Sequence, residues 1–262
     1  MIRVIRSEIV RIVRPRFLLG WFSLMAIFSV MVNAIMFSEA TGTTQAPSGP
    51  GVAFPSAAEL ASPSGVVAGL SAAASMFGVV TLAFWAITAG TDSQSGLIRL
   101  LASTERRRWK LITGKAVALA IMTAVATTVA LMVSTIVAPA AAKSADISTA
   151  LWGTDSSVML TAWVNAYLAM LVWGAIGLAL ATILRSSAIA ISLGIGWVLV
   201  VESIVGLALD DPSWLPGSTM QSLAAGGNAA ASYGSALGLG SMYICIAMTL
   251  ATVVMQRRDI TD

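Results

Sequence analysis

Apolar residues along the chain are gathered into six long runs that polar segments separate. The runs cover residues 17–37, 65–89, 111–137, 158–184, 188–209 and 236–255. Each run has roughly the 20 mostly apolar residues that a helix needs to cross a bilayer. The apolar positions are continuous and do not alternate with polar ones, which favours helices over the strands of a barrel. The pattern predicts an all-α integral membrane protein, with residues 1–262 forming a single transmembrane domain of six spans.

Residues 1–16 have the periodicity of an amphipathic helix. Its apolar side holds Ile2, Ile5, Ile9, Ile12 and Val13, and its polar side holds mostly Arg3, Arg6, Glu8, Arg11 and Arg14. Such a helix lies in the headgroup layer of a membrane, and Pro15 ends it. A signal peptide is the competing interpretation, but the following apolar run exceeds the ~7–15 residues of a signal-peptide core and no A-x-A-like cleavage site follows it. We therefore expect an uncleaved interfacial elbow helix.

Positive charge is confined to alternate connections between the runs. Only 10% of the residues are charged and the mean hydropathy is +0.87, whereas soluble domains carry about 25% charged residues. Every Lys and Arg except Lys143 lies before the first run, in or beside the second-to-third connection, in the fourth-to-fifth connection, or in the tail. The positive-inside rule then places both termini in the cytoplasm, and we expect the chain to lie in the inner (plasma) membrane. This basicity indicates orientation and not a nucleic-acid site.

The connection at 92–110 differs from the others because it is long, polar and densely cationic. Leu97, Ile98, Leu100 and Leu101 would give a short helix from Ser95 to Leu101 one apolar edge, and Arg106, Arg107, Arg108 and Lys110 follow it. Such a helix can be held by a cytosolic partner. The alternative is a charged loop that only fixes orientation.

Two other connections are predicted to lie on the opposite side of the membrane. Residues 38–64 are predicted to be a loop. Residues 210–235, which contain Trp214 among prolines, are predicted to form short external helices or a loop.

Catalytic and metal-binding patterns are missing from the sequence. The chain has no His and one Cys, Cys245, which removes the usual general base and metal ligand. Gly114-Lys115 is not part of a phosphate loop, because Trp109 and Ala116 stand where that motif needs Gly and Ser or Thr. We expect a protein that is not an enzyme and holds no cofactor of its own.

Glu202 is the only ionisable side chain well inside a predicted span. Burial of a charge in the bilayer is costly, so such a residue usually faces a cavity or a partner. Two interpretations stay open: a place on a transport path, or a structural hydrogen bond between helices.

The loop and its flanks resemble a known family. The motif comprises Asp92, Gly96, the turn Leu97-Ile98-Arg99-Leu100-Leu101, Ser103, Arg106 and Gly114-Lys115, and the tail has Arg257-Arg258-Asp259-Ile260. Together with an amphipathic start and six runs, these features resemble a type-2 ATP-binding-cassette (ABC) exporter permease, the membrane subunit of a bacterial ABC transporter. The chain departs from the family at Thr104-Glu105, where the family often has Pro.

The resemblance implies that the loop is a coupling helix that docks on a separate ATP-binding subunit. The residues it assigns to coupling are Asp92, Gly96, Leu97, Arg99, Leu100, Arg106, Arg107, Arg108 and Lys115. It also implies a second copy of this permease or a related one, and ATP and Mg in the partner subunit. Substrate, whether lipid, drug or peptide, would pass between the permeases. The alternative is a stand-alone secondary transporter or channel that uses Glu202; residues 1–137 and 138–262 show no evident repeat that would favour it.

Overall fold

A computed structural model describes residues 2–40, 54–96, 108–153, 155–209, 212–228 and 231–257. All regular elements in these ranges are helical, which confirms the predicted all-α class. The helices are α1 (Ile2–Ile12), α2 (Pro15–Ala40), α3 (Ala57–Leu60), α4 (Gly65–Ala72), α5 (Ala74–Gln94), α6 (Trp109–Ser144), α7 (Ser156–Leu184), α8 (Ser187–Gly196), α9 (Glu202–Ala208), α10 (Pro216–Ala225) and α11 (Tyr233–Arg257), with a π-helical turn at Trp197–Val201 between α8 and α9.

Four helices of the described chain are long and apolar enough to cross a membrane: α2, α6, α7 and α11. The pair formed by α4 and α5, bent by 46°, can count as a fifth. The run predicted at 188–209 is divided into α8, the π-helical turn and α9. A π turn places an extra residue in the helix and changes the direction of the side chains after it. A sixth crossing therefore stays a prediction.

Reciprocal contacts between tryptophan and glycine bring α5 and α7 close together. A Cβ on Gly78 of α5 would lie 2.1 Å from Trp173 Cδ1, and one on Gly174 of α7 would lie 2.6 Å from Trp85 Cε2. Small residues at such points let two helices pack at short range. Both tryptophans are buried as a result. Helix α5, which leads into the 92–110 connection, is thus held firmly against α7.

The 92–110 connection is described only at its two ends. Helix α5 ends at Gln94, and Gly96 follows it with a φ of +70°. Glycine adopts this left-handed conformation without the steric cost that a side chain brings, and it commonly ends helices for that reason. Ser95 and Gly96 therefore form a turn, and the short helix predicted from Ser95 does not begin there. Residues 97–107 lie outside the described residues, and α6 begins at Trp109.

The N-terminal helix covers residues 2–12, and the chain enters α2 at Pro15. Pro15 occupies the first position of α2, where the missing N–H of proline is no loss. Helix α1 packs against α6, so its neighbours include protein as well as any membrane surface.

Candidate functional site

Four charged side chains meet where α1, the end of α5 and the start of α6 come together. This ionic cluster consists of Glu8, Arg11, Asp92 and Lys115. Lys115 Nζ lies 2.8 Å from Glu8 Oε2 and 2.6 Å from Asp92 Oδ2. Arg11 forms an ion pair with Glu8 and lies 3.4 Å, at Nη1, from Asp92 Oδ2. Each cation therefore contacts both carboxylates, and the cluster has no net charge.

The cluster is largely withdrawn from solvent. The side chains of Glu8 and Lys115 are 1% and 8% exposed, and that of Asp92 is 13% exposed. A buried charge is tolerated when it is paired and hydrogen-bonded. Removal of one member of a buried pair costs about 3–5 kcal/mol, because its partner is left as an uncompensated charge. The four residues are therefore expected to act as a unit that fixes three helices together.

Gly114 lets α1 approach α6 closely enough for these pairs to form. A Cβ at position 114 would lie 2.6 Å from Val4 Cγ1. The next residue of α6, Lys115, donates a hydrogen bond to Glu8, which lies on α1 like Val4. Gly114 and Lys115, which are not part of a phosphate loop, thus have other roles at the contact between α1 and α6. Gly114 allows close packing, and Lys115 forms ion pairs.

The structure brings together two of the residues predicted for coupling, Asp92 and Lys115, across the two ends of the connection. Gly96 ends the helix that carries Asp92. Arg108 Nη1 donates to the Gln256 carbonyl of α11 at 3.4 Å. The other predicted residues, Leu97, Arg99, Leu100, Arg106 and Arg107, lie outside the described residues.

Glu8 and Arg11 are site residues that sequence reasoning placed only on the polar, lipid-headgroup side of an amphipathic helix. In the structure Glu8 is buried and faces Lys115. A signal was present: Glu8 is the only acid among the five arginines of residues 1–16. An acid that opposes the charge pattern of its own segment indicates a specific cationic partner.

Glu202 lies elsewhere, at the start of α9, and it is 4% exposed. Its Oε1 accepts a hydrogen bond from the backbone N–H of Ser218 at 3.0 Å. Ser218 is in the first turn of α10, where backbone N–H groups have no partner within the helix. A Cβ on Gly217 would lie 2.6 Å from Oε1, so the carboxylate approaches the backbone of α10 closely. This contact is a hydrogen bond between helices, as one of the two interpretations expects, whereas Oε2 is buried and has no hydrogen-bond partner among the described residues.

The carboxylate therefore caps α10, and the partial positive charge at a helix N-terminus stabilises it without a cation. No salt bridge involves Glu202 within the described ranges, and no cluster of three or more His, Cys, Asp or Glu there could hold a metal ion.

Comparison with known families places the chain in one of them. A family described as "Protein of unknown function (DUF2705)" matches residues 22–261, nearly the whole chain, so the chain belongs to this family. The match includes Asp92 and Lys115 and begins after Glu8 and Arg11. No curated protein matches the chain.

Proposed function

We propose that this member of the DUF2705 family is the membrane permease subunit of an ABC exporter, driven by ATP hydrolysis in a separate subunit. The observation that supports the proposal best is the ionic cluster, because it joins both ends of the 92–110 connection to the N-terminal helix. The chain would form the substrate path and bind no nucleotide itself. The resemblance of the loop motif to that of type-2 permeases supplies the identity of the partner.

The physical argument concerns how a force on the connection would travel. Asp92 is in the last turn of α5 and Lys115 is in the second turn of α6. Their 2.6 Å contact holds these two helix ends together, and Glu8 adds α1. Packed protein interiors have low compressibility and transmit strain. A partner that pushes on residues 97–107 would therefore act on α1, α5 and α6 together.

The proposed topology has six crossings, with α8, the π-helical turn and α9 as the fifth. Both termini and the 92–110 connection would face the cytoplasm, and the protein would lie in the inner (plasma) membrane. The orientation rests on the positive-inside rule, and the choice of the inner membrane rests on the resemblance to bacterial permeases.

A second permease, of the same or a related chain, completes the proposed substrate path. Helix α11 exposes an apolar stripe at helical spacing, formed by Met242, Ile246, Leu250 and Val253. A further stripe runs along α8 and α9 and includes Ile189, Leu193, Val200 and Ile204. In a membrane such surfaces contact lipid or another transmembrane subunit. Either stripe is suited to contact with a second permease.

The alternative, a stand-alone transporter or channel with an ion site at Glu202, receives less support. The Ser218 hydrogen bond and the close approach of Gly217 give this carboxylate a structural task.

The test is co-purification with an ABC-type ATPase encoded beside the gene for this chain. The tagged full-length chain is expressed with the ATPase, and recovery of the ATPase is compared between the natural chain and an Arg106→Glu/Arg107→Glu variant. Arg108 is left unchanged because it contacts α11. An Arg3→Glu/Arg6→Glu variant, in which two exposed arginines of α1 are reversed, is the matched control.

We expect the loop variant to lose the ATPase and the control variant to retain it, because charge reversal opposes docking only at the contact surface. Equal recovery with all three chains would contradict docking through this loop. Failure of the natural chain to retain any such ATPase would contradict the proposed function itself.

A further inference from the structure

A cleft opens at the corner between α1 and α2, beside the ionic cluster. Its volume is about 320 Å³, which lies at the lower end of the ~300–1,000 Å³ typical of small-molecule sites. The ionic cluster forms its polar wall, and the half-buried side chains of Phe17 and Ile87 belong to its apolar wall. Arg14, in the short link between the two helices, also lines it. The cleft is thus amphipathic and lies at the end of a candidate membrane span, α2.

The charged groups that line the cleft sum to a positive charge. The two carboxylates of the ionic cluster are matched by Arg11 and Lys115, and Arg14 adds one further cation. Arg14 is exposed and forms no salt bridge within the described part of the chain. A ligand that brings one negative charge would neutralise the site.

Hydrogen-bond donors are also left over at the cleft. The Arg11 side chain is 24% exposed and uses Nη1 and Nη2 toward Asp92 and Glu8. A guanidinium carries five N–H donors, so Arg11 has donors beyond those two contacts. Guanidinium groups bind phosphate oxygens with short, charge-assisted hydrogen bonds, often two at a time. The chemistry of Arg11 and Arg14 therefore suits a phosphate ester.

We propose that this cleft binds the headgroup phosphate of an anionic phospholipid. Arg14 and the spare donors of Arg11 contact the phosphate, and the first part of an acyl chain lies against Phe17 and Ile87. The apolar wall favours a lipid over a free phosphate, because a soluble anion would leave that wall in contact with water. A zwitterionic lipid would leave the excess charge unmatched. Lipid binding at this cleft does not depend on an ATPase partner.

The test measures binding of individual lipids to the full-length protein in neutral detergent, by native mass spectrometry. Phosphatidylglycerol, phosphatidylcholine and glycerol 3-phosphate serve as probes for an anionic lipid, a zwitterionic lipid and a soluble phosphate ester. An arginine near an anionic lipid contributes about 1 kcal/mol, so R14Q should weaken phosphatidylglycerol binding about fivefold. R6Q, which removes an exposed arginine of α1 outside the cleft, is the matched control and should have little effect.

Arg14→Lys keeps the charge and should lose less affinity than R14Q. Its folding, and that of the other variants, is checked by circular dichroism. Equal binding of phosphatidylglycerol and phosphatidylcholine would overturn the proposal, as would equal losses in R14Q and R6Q. Binding of glycerol 3-phosphate as tightly as the lipid would show an anion site that does not select a lipid, and would also overturn it. An R14K variant that binds as weakly as R14Q would contradict the role of charge.

Discussion

Glu8 and Glu202 are both almost fully buried carboxylates, yet the protein stabilises them in different ways. Glu8 contacts two cations, Arg11 and Lys115, in a cluster that also contains Asp92. Glu202 contacts a backbone N–H at the start of α10 and forms no salt bridge within the described ranges. One carboxylate is held by full charges and the other by a helix terminus.

The difference extends to what each carboxylate connects. Glu8 and Lys115 are 107 positions apart in the chain, so their contact fixes separate helices. Glu202 and Ser218 are 16 positions apart, so their contact joins two helices that are neighbours along the chain, α9 and α10. A buried acid alone therefore does not indicate a transport path. Its partner decides whether it joins distant helices or caps a neighbouring one.

The largest expected effect follows from removal of the shared cation. Lys115→Met leaves Glu8 and Asp92 with only Arg11 between them, and loss of one partner in a buried ionic arrangement costs about 3–5 kcal/mol. We expect the free energy of unfolding in mixed detergent micelles to fall by this amount. Lys143→Met, an exposed lysine near the other end of the same helix, is the control and should change little. If the free energy of unfolding falls by a similar amount in both variants, the ionic cluster makes no specific contribution to stability.

A smaller effect is expected from Gly114→Ala, which tests the approach of α1 to α6. The added Cβ would lie 2.6 Å from Val4 Cγ1, and overpacking of this kind costs about 1–3 kcal/mol. Val4→Ala makes room, so the double variant should recover part of the loss. The measurement is a double-mutant cycle on the free energy of unfolding. Additive losses without recovery would show that α1 does not pack on Gly114.

The smallest effect, and the most direct test of the comparison, comes from Glu202→Gln. The amide keeps an acceptor oxygen for the Ser218 N–H and loses the attraction of a full charge to the helix terminus, about 0.3–1 kcal/mol. Glu8→Gln makes the same chemical change in the ionic cluster and should cost several times more, because it leaves an excess buried cation. Equal losses of stability in the two variants would remove the distinction between the sites.

Much of the fold could be predicted because long apolar runs specify membrane helices by length alone. The prediction of helices was correct for the runs that contain α2, α6, α7 and α11. The run at 188–209 looked equally continuous, but a π-helical turn divides it. The π-helical turn lies directly before Glu202, and hydropathy records how apolar a segment is but not where one residue is added to a helical turn.

The candidate site was only half visible in the sequence. The loop motif identified Asp92 and Lys115, but it did not indicate that the two side chains are in direct contact. Glu8 was assigned to the polar side of α1, because helical periodicity separates polar from apolar positions and cannot distinguish water from a buried cation. Glu202 was recognised as unusual, but only the structure gives Ser218 as its partner.

ATP turnover tests the central claim most directly, namely that the 92–110 connection transfers work from a separate ATPase to the helices of this chain. The purified ATPase is assayed alone, with the natural chain in lipid nanodiscs, and with the Arg106→Glu/Arg107→Glu variant. We predict that the natural chain changes the rate of ATP hydrolysis and that the loop variant does not, because the variant no longer docks. An unchanged rate with the natural chain, or the same change with both chains, would contradict the claim.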